Sequence, residues 1–327
     1  MTKVSNLLKG TGMTAVAFVV AALLAFGLFG CGSQEAVEEK PDTDMAVESD
    51  ALSMEPFWVL LVGNDTRTGT VEITKAQYAD GNARSDVMML VRIAPADHTI
   101  TLVTIPRDTA ATVDGTTQKI NAAYQSGGIE AAVDQVEQLT GVSVAHWLDI
   151  DFVQFETFIN ALGGVSVNVP ATLSLQDIVG GEDITLLQPG TQTLDGAQAL
   201  VLARSRKTYA GFQDACRQIQ NRAIVAAGIQ QVAANPEGVD AAVQALLANV
   251  DTDWDADNLT KYVQEFANHA DELTIYSATG PYDGGIDAAA GLWLTMRDEA
   301  TWAKVIEVAD AGEDPSGIVP VPAVQLV

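Results

Sequence analysis

Cysteine and positive charge are both scarce in this chain of 327 residues. Only two cysteines occur, Cys31 and Cys216, which excludes the disulfide framework that holds many small secreted folds together. The 17 lysines and arginines face 43 aspartates and glutamates, giving a net charge of −26. That balance excludes nucleic-acid binding, because a phosphate backbone requires a basic face. It equally excludes electrostatic adhesion to anionic lipid. Internal repeats are absent, and no linker between residues 56 and 310 is strong enough to split the chain. Apolar residues make up 48% of the sequence, ample for one large packed core.

What holds such an acidic chain to a membrane is written at its start. Lys3 and Lys9 precede an apolar and small stretch from about Met13 to Gly30, ending at Leu28-Phe29-Gly30-Cys31. Residues 1–30 resemble a bacterial lipoprotein signal, with Cys31 the lipidated residue. An uncleaved membrane-spanning helix is the other reading, since the run is just long enough to cross. Both place the remainder outside the cytoplasm, on the outer face of the cytoplasmic membrane. Residues 31–55 are acidic, poor in large apolar residues and interrupted by Pro41: a solvated tether. With Cys31 lipidated, Cys216 has no partner and reads as a small buried hydrophobe.

Ordered structure is expected from Phe57-Trp58-Val59-Leu60-Leu61-Val62, a buried strand. Strands at 87–93 and 99–105 follow, joined through Pro95-Ala96-Asp97 as a hairpin. Ile129, Val133, Val136 and Leu139 recur at helical spacing up to Gly141. A strand at 147–150 leads into a helix that Asp151 can cap and Gly163-Gly164 closes. After a strand at 165–169, Asp195 can cap a helix through Leu202, and a long helix spans about 214–234. Helices near 238–248, 258–269 and 297–309 and a strand at 273–277 complete a pattern of alternating elements. The expected fold is α/β, a single α-β-α sandwich around a central mixed sheet, over 56–310, with 311–327 a C-terminal tail.

The nine arginines fall beside glycines, prolines and strand ends instead of along helix faces. Planar guanidinium forks suit phosphate and carboxylate better than lysine does. Asn64-Asp65-Thr66-Arg67 follows the first strand, Arg84-Ser85-Asp86 opens the second, and Pro106-Arg107-Asp108 closes the third; sheet ends of this kind bind ligands in α/β proteins. Asp65 and Asp86, brought together, would offer hard oxygen donors to Mg²⁺ or Mn²⁺. Each Asp-Arg pair taken singly reads equally as a turn salt bridge. Arg204 and Arg206 can reach one anion only if the chain turns extended there, which ends the preceding helix near Ala203. Arg217, in the first turn of the long helix, opposes its dipole unless an anion binds at that end. Asp214 can cap that helix or act in catalysis.

These elements stand as Gly-Asn-Asp-Thr-Arg (63–67), Arg-Ser-Asp-Val-Met-Met-Leu (84–90) and Ile-Pro-Arg-Asp-Thr (105–109). They continue as Lys-Ile-Asn-Ala-Ala-Tyr (119–124) with Gly127-Gly128, Leu-Gly-Gly-Val (162–165), Leu-Asp-Gly-Ala-Gln-Ala-Leu (194–200) and Ala-Arg-Ser-Arg (203–206). In this order they resemble the LytR-CpsA-Psr family of cell-wall glycopolymer transferases, from about Phe57 to Ala234 and more loosely to Asp310. The resemblance implies a hydrophobic tunnel for a prenyl tail and a site where Mg²⁺ and arginines grip a pyrophosphate. By motif, Asp65 and Asp86 would be the metal ligands and Arg84, Arg107, Arg204, Arg206 and Arg217 the phosphate clamp. Lys119 and Asn121 would support the site, with Arg67 beside them, while Arg92, Arg222 and Arg297 are structural. One departure stands out: Gln220 and Asn221 occupy the positions of a further Arg-Gln, and Arg222 follows.

The implied reaction moves a glycan-phosphate from a polyprenyl-pyrophosphate carrier to a peptidoglycan hydroxyl, with Asp108 and Asp214 the candidate bases. A polyprenyl-pyrophosphate hydrolase using the same residues is one alternative. A non-catalytic lipid- or wall-binding protein is the other.

Overall fold

The computed structural model describes residues 52–65, 83–174 and 185–322. The N-terminal apolar segment, Cys31, the tether to residue 51, Arg67 and the Gly180-Gly181 loop lie outside the described residues. Among the described residues no helix is long and apolar enough to cross a membrane.

Two strands, β1 (Phe57–Asn64) and β2 (Ser85–Ala94), pair antiparallel, and β3 (Thr99–Thr104) returns beside β2. The expected turn between them is one turn of 3₁₀ helix, Pro95–Asp97, closed by His98 in the left-handed region at φ 46. A hairpin of β4 (Ala110–Val113) and β5 (Thr116–Lys119) precedes α1 (Ala122–Thr140). That helix breaks at Gly127-Gly128, where φ of Gly128 is 68, before the periodic stretch begins. There follow β6 (Val144–Ile150), α2 (Phe152–Ala161), β7 (Val165–Val169), β8 (Leu173–Ser174), β9 (Thr185–Leu187) and β10 (Gly190–Leu194). The chain continues through α3 (Gly196–Arg204), α4 (Gln213–Ala233), α5 (Val239–Asn249), β11 (Asp251–Thr252) and α6 (Ala256–Asn268). It ends with β12 (Thr274–Thr279), β13 (Gly284–Asp287), β14 (Leu292–Thr295) and α7 (Glu299–Asp310).

The central sheet runs β11-β6-β1-β2-β3-β12. β1 is parallel to β6, β3 is parallel to β12, and β2 is antiparallel to both β1 and β3. The sheet is therefore mixed, with β1, β3, β6 and β12 sharing one direction. Side-chain alternation divides it between two cores. Trp58, Leu60, Val62, Met88 and Leu90 face α1 and α7, where Val136, Leu139, Trp302 and Val305 are buried. Val59, Met89, Val91 and Leu102 face the other layer, packing on α5 and α6 and the Val225–Ile229 turn of α4. A third cluster sits where β7, β8, β9 and β10 close on α2, α3 and α4.

Packing also continues past residue 310, where a tail was expected. Pro315 is buried, and Ile318 and Val319 pack on the α1–α7 core, because that face of the sheet would otherwise leave apolar surface uncovered.

The Leu-Asp-Gly-Ala-Gln-Ala-Leu stretch shows how motif residues build local structure. Asp195 caps α3 by accepting from the Gln198 N–H, and the Gln198 side chain accepts from the Asp195 N–H, a reciprocal capping box. Asp151 and Gln154 do the same for α2. Gly196 lies so close to α2 that a Cβ would sit 2.1 Å from the Glu156 carbonyl oxygen. Backbone cannot yield as a flexible side chain does, so Gly196→Ala should cost about 1–3 kcal/mol or more by forcing α2 and α3 apart. Urea unfolding checks this; a midpoint equal to the parent protein's would show that the two helices separate freely.

Candidate functional site

Because β2 runs against β1 and β3, the end of β1, the start of β2 and the chain leaving β3 all arrive at one edge of the sheet. Asp65 follows β1; its N–H donates to the Arg84 carbonyl at 3.1 Å and its carboxylate accepts the Arg84 N–H at 2.7 Å. Two residues on, Asp86 accepts from Arg107 Nη1 at 2.5 Å. Arg107 follows β3 and is fixed through its carbonyl, which accepts from the buried Asn121 N–H at 3.3 Å. Lys119 Nζ pairs with Asp108 at 2.9 Å.

The third side of the site is α4. Asp214 was a candidate cap for this helix, but the N-cap is Phe212, in the left-handed region at φ 47, and no side chain caps the end. Asp214 stands instead inside the first turn and is the hub of the cluster. Its Oδ1 lies 2.8 Å from Arg217 Nη2, 3.1 Å from Arg206 Nη2 and 3.8 Å from Arg107 Nε. Gln218 donates to its Oδ2 at 2.8 Å. Arg217, buried, also donates to the Asp86 carbonyl at 2.8 Å, tying α4 to β2. The conflict of Arg217 with the helix dipole is thus answered within the chain by Asp214.

Charge explains the titration behaviour. Burial pushes the Asp214 carboxyl up, but Arg217, Arg206 and Arg107 outweigh it and hold the group at about 2. Arg206 is lowered to about 10 by burial and by repulsion from Arg217 and Arg107, which exceeds the attraction of Asp214 and Asp86. It stays protonated at neutral pH. Burial also lowers Arg107, yet Asp86 and Asp214 raise it further, so its net shift is upward. The cluster therefore holds Arg107, Arg206, Arg217 and Lys119 against Asp86, Asp108 and Asp214, in a chain of net charge −26.

Not every expected residue converges here. α3 runs to Arg204, one residue beyond the expected end, and Ser205 is extended (φ −60, ψ 130). The two arginines part even so, because Arg204 still belongs to the helix: Arg206 turns to Asp214, whereas Arg204 lies over the Phe152 ring, 4.5 Å from its centroid. Arg84 Nε donates to Gln125 at 3.2 Å. Arg222 does not replace the contact missing at Gln220. It is buried below the site, donating to Ser277 at 2.8 Å and Thr104 at 2.5 Å, and thus fastens α4 to β12 and β3. Arg92 pairs with Asp310 at 3.4 Å and Arg297 with Glu299 at 3.4 Å, both away from the site.

Beside the cluster lies a narrow cavity of about 80 Å³. Leu61, Phe152, Phe155, Leu200, Ile224 and Val225 supply apolar walls, and Asp86, Arg204, Arg217 and Asn221 also line it. The expected tunnel is thus a small cavity here, because α2, α3 and α4 close over β1 and β6. It is smaller than the ~150 Å³ that accommodates benzene. Asn221 is buried, and neither atom of its amide has a hydrogen-bond partner among the described residues. Buried amides without partners are rare.

Sequence reasoning missed Asp149. This buried carboxylate accepts from Asn64 at 2.8 Å and from Tyr124 at 2.6 Å, joining β1, β6 and α1 behind the site. Burial raises its pKa against the lowering by Tyr124 and Asn64. An acidic residue in the strand Trp147-Leu-Asp-Ile was the only available signal.

The donor set at Asp65 and Asp86 consists of carboxylate oxygens, the chemistry Mg²⁺ takes. Arg107 occupies Oδ1 of Asp86 and leaves Oδ2 without a partner among the described residues. In donor chemistry the two residues suit such an ion.

A family model, the LytR_cpsA_psr family, matches residues 27–304. The chain is 29% identical over 272 residues to the polyisoprenyl-teichoic acid–peptidoglycan teichoic acid transferase TagU of Enterococcus faecalis, covering 79% of this chain and 84% of that one. It is 30% identical over 238 residues to the transferase of the same name from Halalkalibacterium halodurans, covering 72% and 73%. Among solved structures, Bacillus subtilis TagV superposes with a TM-score of 0.64 at 24% identity, covering 81% of this chain and all of that one. TagT bound to LIIa-WTA gives 0.59 at 23% identity, covering 79% and 91%. These structures share the α/β fold.

Asp214 supplies a pH test of the cluster. Its folded value of about 2 lies below the ~3.9 of an unfolded aspartate. Its contribution to stability is therefore complete above pH ~4 and is lost as pH falls through about 2. Asp214→Asn should be less stable than the parent at neutral pH, with the difference narrowing between about pH 4 and 2. Urea unfolding across that range measures it, and a gap that stays constant would remove Asp214 as the counter-charge.

Proposed function

This chain belongs to the LytR-CpsA-Psr family, and on that premise we propose that it is a transferase moving a glycan-phosphate from a polyprenyl-pyrophosphate carrier to peptidoglycan. The observation that carries the proposal is the convergence of Arg107, Arg206 and Arg217 on Asp214, beside an apolar cavity whose lining includes Asp86, Arg204 and Asn221. An amphiphile with an anionic head and a hydrocarbon tail matches both halves. The relatives named above, whose names specify teichoic acid transfer to peptidoglycan, support the same reading and make a teichoic acid-like polymer the first donor to try.

In the proposed reaction a hydroxyl oxygen of peptidoglycan bonds to the phosphorus nearer the glycan. The bridging P–O bond breaks, and its electron pair leaves on polyprenyl phosphate. The hydroxyl proton must pass to a base. Asp214, held at about 2 and hydrogen-bonded on both oxygens, is a poor proton acceptor in this arrangement. We assign it instead the task of keeping three arginines together, which leaves Asp108 as the candidate base. Lys119 orients Asp108, and Asn121 supports the loop that carries Arg107. Arg107, Arg206 and Arg217 would exchange Asp214 and Asp86 for phosphate oxygens, stabilising charge on the pyrophosphate. Arg204 would meet the same head group from the cavity wall, and Arg84 from the entrance of β2. Asp65 and Asp86 would hold Mg²⁺, which supplies further charge neutralisation at the phosphates. The ~80 Å³ cavity must widen to admit a prenyl tail, by parting α2 and α3 from α4.

Incubating the protein with a labelled polyprenyl-pyrophosphate glycan, Mg²⁺ and peptidoglycan should release polyprenyl phosphate and label the wall in equal amounts. Arg107→Ala should slow this by about 10²–10³-fold, the usual loss for one oxyanion-stabilising donor. Polyprenyl phosphate released without wall labelling would identify a hydrolase, and wall labelling unchanged in Arg107→Ala would remove the arginine site from the chemistry.

We also propose attachment to the outer face of the membrane through lipid on Cys31. Cys31→Ala should abolish labelling by a fatty-acid analogue, while label that persists in this variant would exclude Cys31 as the acceptor.

A further inference from the structure

The chain has three histidines, and two of them meet at the sheet edge opposite the arginine cluster. β2 separates these edges by ten residues, roughly 30 Å of strand. His98 closes the β2–β3 turn. Glu265 and His269, four residues apart, share one face at the end of α6. His98 Nε2 lies 3.3 Å from Glu265 Oε1, and His269 Nδ1 lies 3.2 Å from the same oxygen. All three ligand atoms fall within 4.8 Å of one another. We propose that His98, Glu265 and His269 bind one transition-metal dication of the Zn²⁺ class.

Donor type and spacing carry the assignment. Two imidazole nitrogens and one carboxylate oxygen suit Zn²⁺ and disfavour Mg²⁺, which demands oxygen. With metal–ligand bonds of about 2.0–2.1 Å, neighbouring donors of a tetrahedron stand about 3.3 Å apart, close to the separations found. The rings of His98 and His269 are stacked, 4.0 Å apart and 16° from parallel, so both already stand beside Glu265 and one ring must turn to bring its lone pair onto a shared ion.

A second carboxylate prepares the site. Glu272 Oε2 lies 3.4 Å from His98 Nδ1. A proton held there on Nδ1 leaves the Nε2 lone pair directed at Glu265, the arrangement by which carboxylates orient metal-binding histidines. His98 takes its left-handed backbone without being glycine, a conformation retained where surrounding contacts determine it. His269 Nδ1 also lies 3.0 Å from the Glu265 carbonyl. Metal binding gives up that hydrogen bond and releases any proton it carries, so affinity should fall as pH falls. The bound ion would tie the β2–β3 turn to α6. His269 is partly exposed, leaving a fourth position for water.

Zn²⁺ titrated into the full chain against a chromophoric chelator should show one tight site per chain at about pH 7.5, unaffected by millimolar Mg²⁺. His98→Ala and Glu265→Gln should each weaken it by at least about tenfold, as should His269→Gln, which keeps a polar side chain at a partly exposed position. Asp86→Asn and Asp214→Asn should retain it, separating this site from the arginine cluster. Zn²⁺ should raise the thermal midpoint of the parent chain but not that of His269→Gln, with metal-free midpoints of the two confirming that the variant folds. Binding weaker than about 100 μM, or a stoichiometry and affinity unchanged in the His98→Ala/His269→Ala double variant, would overturn the assignment.

Discussion

Guanidinium groups cannot simply be gathered on a protein surface. Two like charges about 4 Å apart at an effective dielectric near 20 repel by about 4 kcal/mol, so three need an internal anion. Asp214 is that anion. One of its oxygens faces Arg217, Arg206 and Arg107 while Gln218 takes the other. Around it the end of α3, the start of α4 and the loop after β3 are brought to one point. Arg206 is lowered first by its burial and then by repulsion from Arg217 and Arg107. A site assembled this way keeps an excess of positive charge, as the anion binding proposed for it requires.

The helix that carries Asp214 meets a second constraint. Through its first half α4 buries Arg217, Gln218, Gln220, Asn221 and Arg222 between the sheet and the β7–β10 layer. Buried polar groups are costly unless bonded. Most are bonded here: Gln218 to Asp214, Arg222 to Thr104 and Ser277, Arg217 to the Asp86 carbonyl. Asn221 is the one whose fully buried amide atoms lack partners among the described residues, and it lines the cavity. An apolar α4 would have packed more easily, so its polarity is understandable as a cost borne for the ligand proposed above.

Legibility differed by element for physical reasons. Strands buried on both faces, such as Trp58–Val62 and Val87–Ile93, and the long periodic helices stood out because their apolar pattern covers many residues. The hairpins β4–β5 and β13–β14 did not, being four-residue strands of mixed polarity held by what they pack on. Asp151 and Asp195 were readable as caps since capping is local. Asp214 stayed open between cap and catalytic residue because its position near a helix start is local, while the arginines that pair with it lie up to 107 residues away, as with Arg107. Asp149 went unnoticed for the same reason, its partners Asn64 and Tyr124 being supplied by other elements.

Taken alone, the sequence determined the class of fold, the family, the acidic composition, and which arginines and aspartates sit at strand and helix ends. These follow from composition, short-range pattern and motif order. Tertiary structure decided which of those charges share a site. It parted Arg204, the last residue of its helix, from Arg206, sent Arg222 between α4 and the sheet, and made Asp214 a counter-charge instead of a cap. It also brought His98 to Glu265 and His269 at the far edge. Electrostatic partnership depends on distance in space, and only the packing of β1, β2 and β3 against α4 and α6 sets those distances.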